Sequence, residues 1–577
     1  MSGEQVRTAL AAFAALVLGS AASGSQAPAE ARGAAAPGSK VAWDARAVRH
    51  LYNRAGFGAR PADIDAGVAM GQAALVEKLV TQRADVEPFF WEKIEGPEPR
   101  EMKDLPKEER QEKQKEFREK DRRQLQEYTA WWLERMTSGE DPLRERMVLF
   151  WHGFFTSSIE EVKRGWSLIR QNQLVREKAL GSYAELLSSM LRDPAMLAYL
   201  DNQVNRKGNP NENLARELME LFSLGVGNYT ETDVKEAARA LTGRGISREG
   251  DYEFHPRLHD DGKKTVLGTT DKLDGDGLVA ILLKQEACPR WVAKRLITYL
   301  EGVAPTPERL SEYASFLKKS NYEMQPFLRK LFLDPAFYRD EVVGARVQGP
   351  VDFMVGLSRR LGTRITPLVL GGGSALLGQR LFSPPSVKGW DEGESWITTA
   401  TLMQRGNLAG FVLGVVKVDD VMSESDLDMP HPADPAETTG NGEPMHEGTD
   451  APPAAGSATK DEPKPKKGKG GGQPGGQAMQ ALRRAEAAGW SASINFGSRM
   501  AKAGAKTDAE IADRMLDELL AIRAPDDTRA RMRAFLAHER EGLHAADGAL
   551  LDAGGEGERV LRRLAHLILS LPEAQLE

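Results

Sequence analysis

The most informative part of the chain is residues 201–246, here named the decisive stretch, which reads DNQVNRKGNPNENLARELMELFSLGVGNYTETDVKEAARALTGRGI. Leucines recur in it at helical spacing, so Leu214 and Leu218 fall on one face of a helix predicted over Asn211–Leu224. A second helix is predicted over Asp233–Leu241. These two helices and their flanking residues carry more acid, amide and arginine side chains than packing in a hydrophobic core requires. The stretch is therefore also the first place to look for a site.

The helical period of this stretch recurs along the chain, whereas strand patterns are few. Further helices are predicted over Lys163–Lys178, Tyr183–Leu191, Arg290–Leu300, Pro307–Lys319, Gln325–Phe332, Pro350–Leu361 and Thr399–Leu413. The clearest strand patterns, Tyr252–His255 and Thr265–Leu267, flank an Asp-Gly pair and predict a β-hairpin or a long β-like loop. The predicted fold class is mainly α: a multi-helix globular body with this small hairpin or loop and one long disordered insert.

Composition excludes some classes of function. With 28% charged and 41% hydrophobic residues, the 577-residue chain is typical of soluble globular proteins. Its net charge of -7 argues against nonspecific nucleic-acid binding. Cys288 is the only cysteine, so an intramolecular disulfide is impossible, and we expect a buried structural thiol there. His152, inside the apolar run LFWHGFF, is predicted to be a packed histidine.

The chain divides into five predicted segments. They are a signal peptide (1–27), a flexible linker (28–40), the main helical body (41–418), a disordered low-complexity insert (419–478) and C-terminal helices packing on the main body (479–577). Arg7 before the apolar run Ala9–Gly19 indicates the leader, with an uncleaved anchor or a cytosolic tail as alternatives. Residues 419–450 hold ten acids and neither Lys nor Arg, a composition that cannot offset chain entropy by burial.

Several long motifs together resemble one bacterial family, known as domain of unknown function eighteen-hundred. They are HLYNRAGFG (His50–Gly58), LFWHGFFTSS (Leu149–Ser158), the segment Asn211–Gly243, HDDGKKTVLG (His259–Gly268), LFSPPSVKGWDEGESWITTATLMQRGN (Leu381–Asn407) and the closing LILSLPEAQ. The resemblance implies an exported bacterial protein, periplasmic, cell-surface or secreted, often encoded beside a second uncharacterised, sulfatase-like family. It implies no catalytic residue.

The first set of candidate binding residues lies at the start of the helix Asn211–Leu224. One interpretation is structural: Arg216 belongs to an ion-pair ladder of four-residue spacing, and the amides cap the helix. The other is a polar pocket at a helix terminus, in which Asn211, Asn213 and Glu217 hold a sugar or a cation. Glu217 draws attention because it falls at the edge of the apolar face.

The second set, His255, His259 and Asp260, lies in FHPRLHDDGKK. Imidazole nitrogens and carboxylate oxygens bind zinc or a similar metal. The two histidines stand in a loop that contains Pro256, however, and lack the helical geometry of a HExxH motif. The alternative interpretation is that these residues form a turn and that the histidines are exposed to solvent.

The third set, Trp390 and Trp396, lies in KGWDEGESW beside Asp391, Glu392 and Glu394. Aromatic rings flanked by acids are typical of carbohydrate-binding platforms, and paired carboxylates can catalyse glycosidic hydrolysis. The structural alternative is a Trp-anchored loop that closes a helical core.

Three functions fit these patterns. The first is binding or processing of a glycan or a similar envelope polymer. The second is a noncatalytic scaffold or partner of a sulfatase-like exported protein, and the third is a metal-dependent hydrolase. No sequence motif identifies a catalytic residue, a cofactor or a bound metal. We expect no nucleic-acid partner and no transmembrane helix after the leader.

Overall fold

The computed structural model describes residues 41–82, 92–97, 99–421, 474–552 and 554–577. The predicted signal peptide, the predicted linker and most of the predicted insert lie outside these residues. Within them, the first helices are α1 Ala45–Ala55, α2 Pro61–Met70, α3 Gln72–Thr81, α4 Pro99–Asp104, α5 Lys107–Ser138, α6 Pro142–Phe154, α7 Ile159–Val162, α8 Gly165–Lys178, α9 Tyr183–Met190, α10 Pro194–Tyr199, α11 Asn213–Glu220 and α12 Glu231–Ala240.

The helices after residue 270 complete the mainly α fold that the sequence predicts. They are α13 Gly275–Lys284, α14 Ala287–Glu301, α15 Pro307–Lys319, α16 Met324–Leu333, α17 Pro350–Leu361, α18 Pro367–Leu376, α19 Thr399–Leu413, α20 Pro474–Ala487, α21 Phe496–Lys502, α22 Asp508–Leu519, α23 Asp526–Gly542 and α24 Gly554–Leu569. No helix among the described residues combines the length and the apolar character that crossing a bilayer requires.

The β-structure corrects one prediction. The strands β1 (Arg244–Ile246) and β2 (Tyr252–Phe254) pair with each other, and β3 (Lys264–Val266) pairs with β4 (Thr269–Asp271), all antiparallel. The two predicted strands therefore exist, but the expectation that they pair across Asp261-Gly262 is wrong. Each strand pairs with its nearest neighbour in sequence instead, because a short turn costs less entropy to close.

The core of the body is aromatic. Trp151 stacks on Tyr183, with ring centroids 5.8 Å apart, and Phe155 lies 5.2 Å from Phe222, just after α11. The Tyr183 hydroxyl donates to the carbonyl of Phe222, which fixes the decisive stretch to this cluster. The long helix α5 is exposed along its charged first half and buries Trp132 near its end.

Helix α20 begins earlier than predicted. Its first residue, Pro474, lies inside the segment 419–478 that was expected to be disordered. The helix extends this far because an apolar face that includes Met479 and Leu482 is buried where α20 contacts α18. At this contact an ideal Cβ on Gly372 would lie 3.2 Å from the Cβ of Ala481. Further along the chain, α24 contacts α19, and α22 contacts α17.

Helix ends differ from the sequence prediction more than helix positions do. The helix predicted over Asn211–Leu224 is confirmed as α11 but ends at Glu220, because the chain tightens into a turn before Gly225. Cys288 is buried inside α14, as expected, and burial raises the pKa of its thiol to about 12. His152 is confirmed as a packed histidine: its Nε2 accepts from the backbone N–H of Phe382 at 3.2 Å.

One buried carboxyl makes stability depend on pH. Asp193 Oδ1 accepts from Gln171 Nε2 at 2.7 Å and from the backbone N–H of Met196 at 2.8 Å. Burial outweighs these bonds and raises the pKa of Asp193 to about 6. In the unfolded chain the pKa of an aspartate is about 3.9, so the folded pKa is raised. The stability that protonated Asp193 contributes is therefore fully present below about pH 3.9. It is lost as pH rises through about 6.

Replacing Asp193 with asparagine should therefore flatten this pH dependence, because Asn keeps the acceptor oxygen and cannot ionise. Between pH 4 and pH 7 we expect the wild type to lose about 3 kcal/mol relative to Asp193→Asn. Urea unfolding at several pH values measures the difference, with the exposed Asp65→Asn as the control. Parallel stability curves for Asp193→Asn and the wild type would contradict the prediction.

Candidate functional site

The candidate site is a cavity of about 280 Å³ that we call the Trp cleft. It lies between α6, the end of α14, the start of α17 and the loop before α19. Its lining includes Tyr299, Arg346, Gly349, Asp352, Gln379, Trp390, Asp391, Glu392 and Trp396. The third sequence-predicted set thus contributes both tryptophans and two of its three acids to one cavity; the lining does not include the exposed Glu394.

The loop that carries the tryptophans needs a glycine to reach α6. Gly389 has φ 89°, and an ideal Cβ there would lie 2.6 Å from the carbonyl oxygen of Gly153. This close approach places the Trp390 ring 5.4 Å from the buried ring of His152. Trp396 ends a 3₁₀ turn, Gly393–Trp396, and its carbonyl accepts from the Thr401 hydroxyl at 2.9 Å. Both rings are thereby held by backbone geometry.

Gly349 leaves open space inside the cleft. An ideal Cβ at this residue would lie 3.4 Å from Gln379 Oε1, 3.4 Å from Asp352 Oδ2 and 3.8 Å from Trp396 Nε1. Gln379 is oriented by its Oε1, which accepts from the backbone N–H of Val351 at 2.9 Å. The amide Nε2 of Gln379 and the indole Nε1 of Trp396 have no hydrogen-bond partner in the described part of the chain.

A buried charge cluster supports one wall of the cleft. Asp352 accepts from Arg146 Nη1 at 2.6 Å and from Arg346 Nη2 at 2.7 Å. Arg346 also pairs with the side chain of Glu577, and its guanidinium lies 4.7 Å above the Tyr299 ring. Burial disfavours the ionised form of Asp352, but the two arginines outweigh it and hold the pKa below its ordinary value. The wall is therefore a fixed, charge-paired surface.

The acids at the opening of the cleft are exposed. Glu392 pairs with Arg295 at 3.3 Å, and both side chains are partly exposed. Asp391 has no ion-pair or hydrogen-bond partner among the described residues. A carboxylate without a partner at the opening of a cavity can accept hydrogen bonds from a ligand's hydroxyl groups.

The first predicted set lies elsewhere, and most of its contacts are those of a helix start. Asn211 Oδ1 accepts from the backbone N–H of Asn213 at 3.0 Å. Arg216 pairs with Glu212 at 3.1 Å, as a ladder requires, and with Glu231 of the next helix at 2.7 Å. Arg216 thus joins α11 to α12. Asn211, Asn213 and Arg216 are all absent from the lining of the Trp cleft.

Glu217 is half-buried and also lies outside the cleft lining. Burial and the nearby Glu220 raise its pKa, and the charges of Arg216 and Lys388 oppose this shift. Glu220, four residues after Arg216, does not pair with it and accepts from the Tyr229 hydroxyl at 2.8 Å. Glu217 is thus a partly desolvated carboxyl near the loop that precedes Trp390, separate from the other candidates.

The residues of the second predicted set, His255, His259 and Asp260, make contacts with neighbouring protein groups. Asp260 Oδ2 accepts from Arg239 Nε at 2.8 Å, which lowers the pKa of that carboxyl to about 2. His259 Nδ1 lies 2.9 Å from the carbonyl oxygen of Thr242, and His255 Nδ1 lies 3.7 Å from Glu253. No group of three or more His, Cys, Asp or Glu side chains in the described ranges is arranged to hold a metal ion. The contacts present are those of a stabilised turn.

Sequence reasoning missed the buried polar residues behind these sets. Asp352 lies inside the apolar run PVDFMV and Arg146 directly precedes the run MVLFW, and a charge in or beside such a run was the available signal. Asn205 was missed in the decisive stretch. It is buried, its amide nitrogen donates to Asn202 at 3.0 Å and to the carbonyl of Ala238 at 2.9 Å, and its Oδ1 accepts from the N–H of Asn211. The amides of this stretch are therefore largely structural.

Comparison with known proteins gives a family and no activity. No curated protein and no solved structure matches the chain. One family model, described as "Protein of unknown function (DUF1800)", matches residues 50–576. The match includes the decisive stretch, the loop of the Trp cleft and, from the buried charge cluster, Arg146, Arg346 and Asp352. The chain therefore belongs to the family described as protein of unknown function (DUF1800).

Proposed function

We propose that the protein binds a saccharide in the Trp cleft. The observation that carries this proposal is the convergence of Trp390, Trp396, Asp391 and Glu392 on one cavity. Ligand sites combine apolar and aromatic walls with a few polar groups that fix orientation, and the Trp cleft has both. Binding of a glycan or a similar envelope polymer is thus the function that this geometry supports best.

The chemistry of the lining suits a sugar ring. An indole face packs against the apolar C–H face of a sugar, and its N–H donates to a ring or hydroxyl oxygen. Carboxylates such as those of Asp391 and Glu392 accept from pairs of hydroxyl groups. Because backbone geometry already positions the two tryptophans, little of their side-chain entropy is lost on binding.

Removing one tryptophan tests the proposal. We expect Trp396→Ala to weaken binding of a soluble oligosaccharide at least tenfold, since buried aromatic anchors dominate such sites. Isothermal titration against a panel of neutral, acidic and amino oligosaccharides measures it, with unfolding curves to show that the variant is folded. Trp43→Ala and Glu217→Gln, both outside the cleft, serve as controls. Equal affinities for Trp396→Ala and the wild type, or no binding by the wild type to any member of the panel, would contradict the proposal.

A noncatalytic partner role is the second candidate. The described residues include three exposed apolar side chains, those of Val204, Phe254 and Leu258. Backbone hydrogen bonds made by Gly243 and Lys207 hold the segments that carry them together. Exposed apolar side chains of this kind support docking of a protein, such as the sulfatase-like exported protein that the resemblance implies. Under this alternative, Phe254→Glu abolishes co-purification with that protein while Trp396→Ala leaves it intact. The reverse pattern would contradict it.

Export is part of the proposal, because an envelope glycan lies outside the cytoplasm. The support is the leader sequence, whose apolar run is followed by small residues through Ala27. We expect the protein recovered from the periplasm or medium to begin after Ala27, and mass spectrometry of its first peptide measures this. Recovery of the intact leader from a cytosolic fraction would contradict export.

A further inference from the structure

We infer that the ligand of the Trp cleft is an uncharged, hydroxyl-rich saccharide, of which one ring fills the cavity. This inference rests on the proposed function and narrows it to a substrate class. It follows from the balance of charges and hydrogen-bonding groups in the lining.

An acidic sugar finds no free cation in the cleft. Among the described residues of the lining, Arg346 is the only Lys or Arg. Its two terminal nitrogens are already used, one by Asp352 and the other by Glu577. Arg295, which is not part of the lining, is paired with Glu392. A carboxylate or sulfate on the ligand would therefore approach Asp391 without a compensating charge.

An ammonium group suits only the carboxylate part of the lining. An ammonium group can donate to Asp391, but it cannot accept from the free donors Trp396 Nε1 and Gln379 Nε2. A hydroxyl group both donates and accepts, so neighbouring hydroxyls satisfy Asp391 at the opening and the two nitrogen donors beside Gly349. Leaving such donors unpaired on binding costs affinity, which favours the hydroxyl over the ammonium.

The size of the cavity limits how much of the ligand enters. Its volume of about 280 Å³ lies just below the range of about 300–1,000 Å³ that is usual for small-molecule pockets. That space suits a single sugar ring with its hydroxyls rather than a longer segment. A methyl group at Gly349 would project into this space, and its contacts of 3.4 Å are ordinary packing distances, so the fold accepts it.

The experiment compares oligosaccharides that differ in charge and share a backbone. Cellohexaose, the corresponding β-1,4 glucuronic-acid hexamer and the β-1,4 glucosamine hexamer are titrated into the full-length protein, with maltohexaose as a neutral ligand of different linkage. We expect a neutral hexamer to bind at least tenfold more tightly than either charged one. Its affinity should change less than twofold between about 50 mM and about 500 mM NaCl, because no ion pair forms. Gly349→Ala should weaken that binding at least tenfold at an unchanged melting temperature.

Each other outcome is decisive. Tighter binding of the acidic or the amino hexamer, lost in Trp396→Ala, overturns the inference and leaves the proposed saccharide site standing. Undiminished neutral binding in Gly349→Ala also overturns the inference, because the ring would then lie outside the cavity. Binding of none of the four hexamers overturns the proposed function together with the inference.

Discussion

Replacing Glu145 with alanine is expected to lower the free energy of unfolding by about 4 kcal/mol. Glu145 is buried in α6, and its carboxylate accepts from Trp132 Nε1 at 2.9 Å. It also pairs with Arg135 at 3.1 Å and with Arg176 at 3.0 Å. Removing the carboxylate leaves two guanidinium groups without their shared counter-charge and one buried indole N–H without an acceptor. Loss of one partner from a buried ion pair costs far more than loss of a surface pair.

Urea denaturation at pH 7 measures this loss, and Glu185→Ala is the matched control. Glu185 pairs with Lys178 at 3.5 Å on the surface, so its removal should cost less than about 1 kcal/mol. Burial raises the pKa of Glu145, but Arg176 and Arg135 outweigh it and hold the pKa low. The contribution of Glu145 is therefore present above the unfolded pKa of about 4.3 and is lost as pH falls through the folded value. Equal losses for both variants would contradict the prediction.

The second large effect is expected for Asp352→Ala, again about 4 kcal/mol of unfolding free energy. Asp352 joins Arg146 of α6 to Arg346, and both guanidinium groups would lose their charge partner in the interior. Arg346 lines the Trp cleft. Without Asp352, we expect the residues of this wall to be held less rigidly, in addition to the loss of stability of the whole body. We therefore expect weaker saccharide binding as well as lower stability.

Two variants separate the charge of Asp352 from its shape. Asp352→Asn keeps the side-chain volume and removes the charge, so most of the stability loss should persist. Asp340→Ala removes an aspartate whose pair with Arg46 is exposed, and it should be nearly neutral. Because the folded pKa of Asp352 is lowered, its contribution is lost as pH falls, and the wild type and Asp352→Asn should converge in acid. A gap that stays constant with pH would contradict the role of charge.

The helices could be predicted because the apolar residues that identify each one recur at helical spacing within a short segment of the chain. Leu214 and Leu218, four residues apart, identify α11 from the sequence alone, and both are fully buried. The ends of α11 could not be predicted, because the turn after Glu220 is fixed by Trp291, which packs on Gly225 from α14. The pairing of β1 with β2 was missed for a similar reason: a three-residue strand such as Arg244–Ile246 carries too short a pattern.

The Trp cleft could be predicted only in part. The residues Trp390–Trp396 are close in sequence, so their aromatic and acidic character was visible. Tyr299, Gly349 and Gln379 come from distant segments, and no local pattern shows that they meet. Conversely, Asn211 and Arg216 look functional in sequence because capping and ion pairing use the same side chains as ligand binding.

The guanidinium of Arg146 has a consequence for folding kinetics. It donates to the carbonyls of Asn53 and Gly56, binds Asp352 and lies 3.8 Å from the Glu577 carboxylate. One side chain thus gathers groups separated by more than five hundred positions of the chain. Such nonlocal contacts raise contact order and slow folding. The full cluster therefore cannot form during synthesis until residue 577 has emerged from the ribosome.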